Sequence, residues 1–422
     1  MATLRLSTNR PRELPKAHDE TLCFYWRYEH EAREPVADDI AQFLPHFAFW
    51  EAALRGRKQM PFVSVLIDTY NHEKFIEKAV TSVLEQDFPA ENREIIVVDD
   101  GSTDRTPEIL RKFESQIRIL RKPNGGQASA FNIGIAESRG EIIALLDGDD
   151  WWDPRKLRTV AELFADDASL GVVGHAIIEA FNDGSERVVT PERFLCLSLN
   201  SGHAADVFRL HRCYLGTSRL AIRADVARKL LPIPEGLAFE ADEYLFILAA
   251  AEANVAILTQ PLTYYRIHGS NLFMSPDSGS EGERRKQRVF AILAAELRRA
   301  LPLTGASKDA IASILEFVDA EAIQLRLRVA GGWSWETFRT ETTIFRIQHR
   351  DASKKAKWFR GITMIPALAL PPRWFYYIRA RIAAQSWYTA ARRRFLPVPG
   401  TTKINSVSKG DSSARPEFRQ PL

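Results

Sequence analysis

Glu141-Ile-Ile-Ala-Leu-Leu-Asp-Gly-Asp-Asp-Trp-Trp-Asp-Pro-Arg-Lys-Leu157 is the stretch on which the reading of this chain turns. Its five apolar residues, 142–146, have the unbroken hydrophobicity of a strand buried on both faces, as in a parallel sheet. They deliver Asp147, Asp149 and Asp150 together at the strand's carboxyl end. Three carboxylates within four residues repel one another, and a divalent metal carrying a phosphate is the simplest partner that turns that repulsion into attraction. The edge where strands end in an open α/β sheet is also where ligands bind.

Alone, the group Asp147-Gly148-Asp149-Asp150 fits a solvated turn, a phosphatase-type site or a metal–nucleotide site. The phosphatase reading fails because Trp151 stands where those sites carry a small Thr or Val. Upstream, residues 62–67 form an apolar strand, and Phe75, Ile76, Ala79, Val80, Val83 and Leu84 recur at helical spacing. Residues 95–98 are a second buried strand, ending in Asp99-Asp100-Gly101-Ser102-Thr103-Asp104. Thr106 before Pro107 then predicts an N-cap and a helix start. A third strand over 117–120 leads through Asn124-Gly125-Gly126-Gln127 into a helix to about residue 137. Strand and helix alternating at this pitch predict a parallel sheet with right-handed crossovers, which sets Asp68, Asp100 and Asp149 along one edge.

Downstream, a helix is expected over 155–164 and a strand over 172–178. A helix near 225–231 and the acidic helix start Glu240-Ala241-Asp242-Glu243 follow, then closing strands over 255–258 and 262–268. Beyond about residue 275 the strand signals fade. Residues 284–350 read as helices, with Val289, Phe290, Leu293, Ala294 and Leu297 on one stripe.

Four segments in this order, Ser64-Val65-Leu66-Ile67-Asp68-Thr69-Tyr70-Asn71, Val98-Asp99-Asp100-Gly101-Ser102-Thr103-Asp104, Gly125-Gly126 with Asn132 and Gly134, and Asp147-Gly148-Asp149-Asp150 with Pro154 and Leu157, closely resemble the family 2 glycosyltransferases of the GT-A fold. The resemblance covers 61 to about 165 and continues more loosely to about 275. It implies an α/β fold, a GT-A type (Rossmann-like) mostly parallel sheet flanked by helices. The implied activity is inverting transfer of a sugar from a nucleotide sugar, a uridine diphosphate sugar in the family pattern, to a hydroxyl-bearing acceptor.

By the same resemblance, Tyr70 would lie against the base, Asp100 would accept a uracil-type imide N–H, and Asp147 would accept from the ribose hydroxyls. Asp149 would bind Mg²⁺ or Mn²⁺, bridging the diphosphate. His268, in Tyr264-Tyr265-Arg266-Ile267-His268, would complete the metal or diphosphate site or hold a loop, and Arg266 would meet phosphate. Asp68 departs from the pattern, where Pro, Ser or Thr is commoner. It remains in the nucleotide-binding set, either turned toward ribose or serving as a strand-end cap. Asp242 would be the base that takes the acceptor proton, with Glu240 and Glu243 as rivals and a helix-start structural role as the alternative. Gly216-Thr217-Ser218-Arg219 would line the acceptor side. A sugar nucleotidyltransferase is the rival class, but Asp68-Thr69-Tyr70-Asn71-His72 is not the Gly-rich, basic loop it needs. Intact Asp149 and Asp242 count against a non-catalytic nucleotide-binding module.

At 422 residues the chain is long for a single core. The expected division is an N-terminal extension over 1–60 with a helix near 37–54, a glycosyltransferase domain over 61–275, a helical, basic region over 276–396, and a disordered polar tail over 397–422. Cys23, Cys196 and Cys213 have no Cys-x-x-Cys spacing, which argues against a disulfide framework or a zinc site. With no apolar leader and no run of ~20 apolar residues, a cytoplasmic protein is expected. The net charge of +3 hides an asymmetry: between Asp351 and Asp411 lie twelve Lys or Arg and no acid, leaving 45 basic against 54 acidic residues elsewhere. Aromatics and cations beside an apolar run at 361–370 suggest an element on the membrane inner face, bound to anionic lipid rather than nucleic acid. A solvated helical face is the alternative.

Overall fold

The computed structural model describes residues 60–268, 280–348 and 354–383, together with Gln385. The expected helix near 37–54 and the tail over 397–422 lie outside the described residues. Four parallel strands form the first half of the sheet: β1 (Val63–Thr69), β2 (Arg93–Asp99), β3 (Arg118–Arg121) and β4 (Ile142–Asp147). Helices α1 (Ile76–Leu84), α2 (Thr106–Arg111) and α3 (Gln127–Glu137) make the crossovers. The N-cap falls one residue earlier than expected, at Arg105: Thr106 is the first helical residue, and the Asp104 carboxylate accepts its N–H at 2.9 Å. An ionised oxygen two residues upstream serves that orphan donor better than the threonine hydroxyl.

Beyond β4 the sheet becomes mixed. After β5 (Trp151–Trp152) and α4 (Lys156–Asp166) come β6 (Leu170–Phe181), β7 (Glu186–Val189), β8 (Leu195–Leu197), α5 (Gly202–His211), β9 (Ala221–Arg223), α6 (Ala224–Lys229), α7 (Ala241–Glu252) and β10 (Asn254–Ile267). The order is β3-β2-β1-β4-β9-β6-β10-β5, with β7 on β6 and β8 on β10. Strand β9 runs antiparallel between β4 and β6. The two closing strands expected near residues 255 and 262 are one strand, β10. Its register against β6 shifts on either side of Pro261, which has no N–H to give the ladder.

The period of two places alternate strand residues in two cores. Leu66, Ile96, Val98, Ile143 and Leu145 face α3 and α7, whereas Val65, Ile67, Val97, Ala144 and Leu146 face α1 and α4. Gly134 on α3 is required by this packing, because a Cβ there would sit 2.2 Å from Leu66 Cδ1. The first core extends through Leu293 and Leu297 of α8 (Ser280–Ala300) to Ile314 and Val318 of α9 (Lys308–Val329). Then follow α10 (Ser334–Gln348), α11 (Lys354–Met364), α12 (Pro366–Ala369) and α13 (Pro372–Ala383). Among the described residues no helix is long and apolar enough to cross a membrane. Cys213 is free and exposed.

Candidate active site

Register alone gathers the acids. Asp68 pairs with Asp147 across β1 and β4, and Thr69 with Asp99 across β1 and β2, so the strand ends are level. The loop after β4 turns tightly against β1, with Gly148 N donating to Asp68 O at 2.9 Å. A Cβ on Gly148 would lie 2.6 Å from Thr69 Oγ1 and 2.7 Å from His72 Nδ1, so only glycine lets the loop close. Asp147, Asp149 and Asp150 thereby offer carboxylate oxygens all within 4.8 Å of one another.

The end of β10 reaches the same place. Arg266 N donates to Asp150 Oδ1 at 2.8 Å, Arg266 Nε donates to Asp149 O at 2.8 Å, and His268 Nε2 lies 3.1 Å from Asp149 Oδ2. Trp151 stacks on Tyr264 with ring centroids 4.9 Å apart. The Lys78 ammonium lies 3.4 Å and the Arg266 guanidinium 4.5 Å from the Trp151 ring centroid, so two cations border the acidic loop on an aromatic platform.

From the opposite side comes the turn Thr217–Arg219. The Ser218 carbonyl accepts from Trp152 Nε1, the buried Lys156 Nζ and Thr263 Oγ1 at 3.0, 2.7 and 2.6 Å, which fixes the turn. Ser218 Oγ in turn accepts from Asp147 N at 3.1 Å. Thr217 donates through both N and Oγ1 to Asp242 Oδ2, each at 2.9 Å, and Glu243 N donates to Asp242 Oδ1 at 2.8 Å. Asp242 therefore stands in the first turn of α7, facing the acids of β1 and β4. Its rival Glu243 points away, accepting from Arg209 and Arg212 at 2.8 Å each.

The electrostatics follow from burial and crowding. Burial, then the charge of Asp149, pushes the Asp68 carboxyl up to about 8. Asp150 is pushed up to about 8 by the same two causes, and Asp147 well up by burial and the Asp68 charge. Asp68 Oδ1 and Asp150 Oδ2 are buried without a hydrogen-bond partner among the described residues. Asp149 is the exception: burial works to raise it, but the His268 hydrogen bond and the His72 charge outweigh that and hold it down. Burial raises Asp242 against the Thr217 donors. A cluster of buried and half-buried carboxylates, two of whose oxygens are buried without a partner among the described residues and most of which hold protons for want of positive charge, fits a divalent cation.

The structure thus brings Asp68, Asp147, Asp149, His268 and Asp242 together. Tyr70, 44% exposed, lies at the rim just past β1. Asp100 is differently placed. It is buried and ion-paired with Lys122, and it also accepts from Gly125 N at 3.0 Å, Gly126 N at 2.7 Å and Asn124 Nδ2 at 3.2 Å. A base imide would have to displace one of these donors. Sequence reading missed Lys122 and missed His72, whose Nδ1 lies 3.2 Å from Thr69 Oγ1. The place of His72, four residues past the Asp68 strand end, was the available signal.

A profile of glycosyl transferase family 2 matches residues 64–218. The chain is 33% identical over 234 residues to an uncharacterized glycosyltransferase of Nostoc sp., covering 54% of this chain and 71% of that protein. It is 27% identical over 273 residues to the poly(ribitol-phosphate) beta-N-acetylglucosaminyltransferase TarS of Staphylococcus aureus, covering 61% of this chain and 43% of that protein. The solved structure of TarS 1–349 in complex with UDP-GlcNAc is similar in fold, with a TM-score of 0.50 at 20% identity over 78% of this chain and 92% of that one.

Proposed function

The chain belongs to glycosyl transferase family 2, and from that premise we propose that it moves a sugar from a uridine diphosphate sugar to a hydroxyl acceptor with inversion. The observation that carries the reading is the facing of the acidic strand ends by Asp242. Asp149, with Asp147 and Asp150, would hold Mg²⁺ or Mn²⁺, and His268 orients Asp149 from behind. Such an ion supplies Lewis-acid stabilisation to the departing diphosphate.

The chain's own residues supply the rest. Arg266 and Lys78 border the diphosphate, Tyr70 offers its exposed ring to the base, and Asp68, protonated in the fold, can donate to a ribose hydroxyl rather than repel phosphate. As the acceptor oxygen attacks the anomeric carbon, the bond from that carbon to the diphosphate oxygen breaks. The hydroxyl proton passes to Asp242, whose raised pKa suits it to receive one. TarS is named for transfer of N-acetylglucosamine to poly(ribitol phosphate), which supports a sugar donor and a polyhydroxyl acceptor class. The test is a nucleotide-sugar hydrolysis and transfer screen with and without Mn²⁺. Turnover with a uridine diphosphate sugar should require the ion, and Asp242→Asn should lower it by about 10²–10⁴ with donor affinity unchanged. Metal-independent turnover, or an unimpaired Asp242→Asn, would refute the corresponding role.

Residues 61–275 are the proposed catalytic domain, and the helical region after it is the proposed membrane-facing part. Trp358, Ile362 and Ile365 on one stripe, and Trp374, Tyr377, Ile378 and Ile382 on another, are exposed beside Lys354, Lys357, Arg373 and Arg381. Each cation near an anionic bilayer contributes ~1 kcal/mol. Co-sedimentation with anionic but not neutral vesicles, weakening with salt, is the expected result; equal binding to both, or to neither, would defeat the lipid reading.

A further inference from the structure

Helix α7 carries Asp242 in its first turn, yet its start has no ordinary cap. Glu240, the residue before it, lies in the left-handed region at φ 63° and makes no side-chain capping bond. Two other anchors hold that turn. Gln127 Oε1 accepts from Ala241 N at 3.0 Å, and the Glu243 side chain is gripped by Arg209 and Arg212.

That grip is only half a network. Arg209, fully buried, also donates to Glu321 Oε2 at 3.1 Å. Arg212 also donates to Glu321 Oε2 at 2.8 Å and to Glu321 Oε1. Both guanidiniums lie over the Phe317 ring, one turn before Glu321 on α9, at 4.5 and 5.1 Å from its centroid. One buried and one half-buried cation are thus balanced by two carboxylates, one beside Asp242 and one 78 residues further along the chain. Glu321 lies well beyond residues 64–218, the stretch matched by the family profile.

We propose that Glu321 is a positioning residue for Asp242, acting through Arg209, Arg212 and Glu243; this rests on the reading of Asp242 as the base. With Glu321 neutral, two guanidiniums share the single carboxylate of Glu243 and repel each other across it. Glu243 then re-seats, and the turn that aims Asp242 moves with it. A base displaced by a fraction of an ångström loses turnover but not donor affinity, because the donor is held on the other side by the β1 and β4 loops.

The experiment compares Glu321→Gln, Glu321→Asp and Arg212→Lys with the wild type, in full-length chain with Mn²⁺ and a uridine diphosphate sugar. Glu321→Gln should lower kcat by about 10- to 100-fold with donor KM within about twofold, and Glu321→Asp should recover most of it. Arg212→Lys keeps a charge but not the fork that spans both carboxylates, so it should show the same kcat-only loss. In an Asp242→Asn background Glu321→Gln should cost nothing further, because the group it aims is gone. Full turnover in folded Glu321→Gln and Arg212→Lys, a parallel loss of donor affinity, or a full additional loss on top of Asp242→Asn would overturn the proposal. If Asp242→Asn itself turns over normally, the base assignment has failed instead, which separates the two failures.

Discussion

Two groups of buried acids approach the start of α7 and behave in opposite ways. At the ends of β1 and β4, Asp68, Asp147 and Asp150 face one another and keep their protons, with Asp68 and Asp150 pushed up to about 8. Against α5 and α9, Glu243 is buried, yet Arg212 and Arg209 outweigh that burial and hold it ionised, below its usual range. All are carboxylates drawn out of solvent, Glu243 and Asp150 fully and Asp68 and Asp147 in part; what sets the groups apart is the compensation. A carboxylate matched by arginine inside the chain is part of the fold, whereas one left facing its own kind is waiting for a cation from outside. On this basis Glu243 is a scaffold acid, whereas Asp147 and Asp150 stand uncompensated beside Asp149, the proposed metal ligand, although both groups sit in acidic stretches that look equivalent in sequence.

The comparison breaks most visibly at Asp149. Asp149→Asn removes a charged ligand at nearly constant volume, so the expected outcome is loss of measurable transfer and of Mn²⁺-dependent nucleotide binding with an unchanged circular dichroism spectrum. Calorimetric titration of uridine diphosphate with and without Mn²⁺ checks this, and retained ion-dependent binding would move Asp149 out of the metal site.

A smaller effect sharpens the contrast from the other side. Arg209→Met leaves Glu243 and Glu321 with one guanidinium between them and should destabilise the fold by about 3–5 kcal/mol, as breaking a buried ion cluster does. Asp68→Asn removes an acid whose Oδ1 is buried without a hydrogen-bond partner among the described residues, and it should be neutral or stabilising in the absence of metal. Chemical denaturation of both variants in EDTA measures the pair; equal destabilisation would mean that Asp68 is a structural acid like Glu243.

What sequence could foresee follows the same division. Strands β1, β2 and β4 are legible because both faces are buried, so their residues form unbroken apolar runs that end on the site's aspartates. Strands β5 and β9, of two and three residues, are too short to carry a period, and Pro261 hides the continuity of β10. Within the site, motif order pointed to Asp149, Asp242 and His268. Nothing in the sequence could say that Asp100 would be tied to Lys122, or that Glu243 and Glu321 would share two arginines. Those are pairings between polar residues 22 positions apart in the first case and 31 to 112 in the second, with no periodicity to announce them, and only the folded chain selects them.

The smallest expected effect is the pH dependence of stability. Asp68 and Asp150 hold protons in the fold up to about 8, whereas an unfolded carboxyl releases its proton near 3.9. Between those values the unfolded chain binds fewer protons than the folded one, so these two acids make stability fall as pH rises from about 4 toward 8. Glu243 runs the other way: its stabilisation is present above its unfolded pKa, near 4.3, and is lost only as pH falls below that, so it adds no slope near neutrality. The buried Lys156 and His175, both shifted well down by desolvation, oppose the fall. The informative quantity is therefore the difference between wild type and Asp68→Asn, in which they cancel. Thermal melts in EDTA from pH 5 to 8 should show a Tm that drops more steeply for the wild type than for Asp68→Asn. Mn²⁺ should raise the wild-type Tm more at pH 8 than at pH 5, because at the lower pH protons compete for the oxygens that the ion must take. Parallel Tm profiles for the two proteins, with the same Mn²⁺ increment at both pH values, would mean that the acids of β1 and β4 are already compensated and do not differ in kind from Glu243.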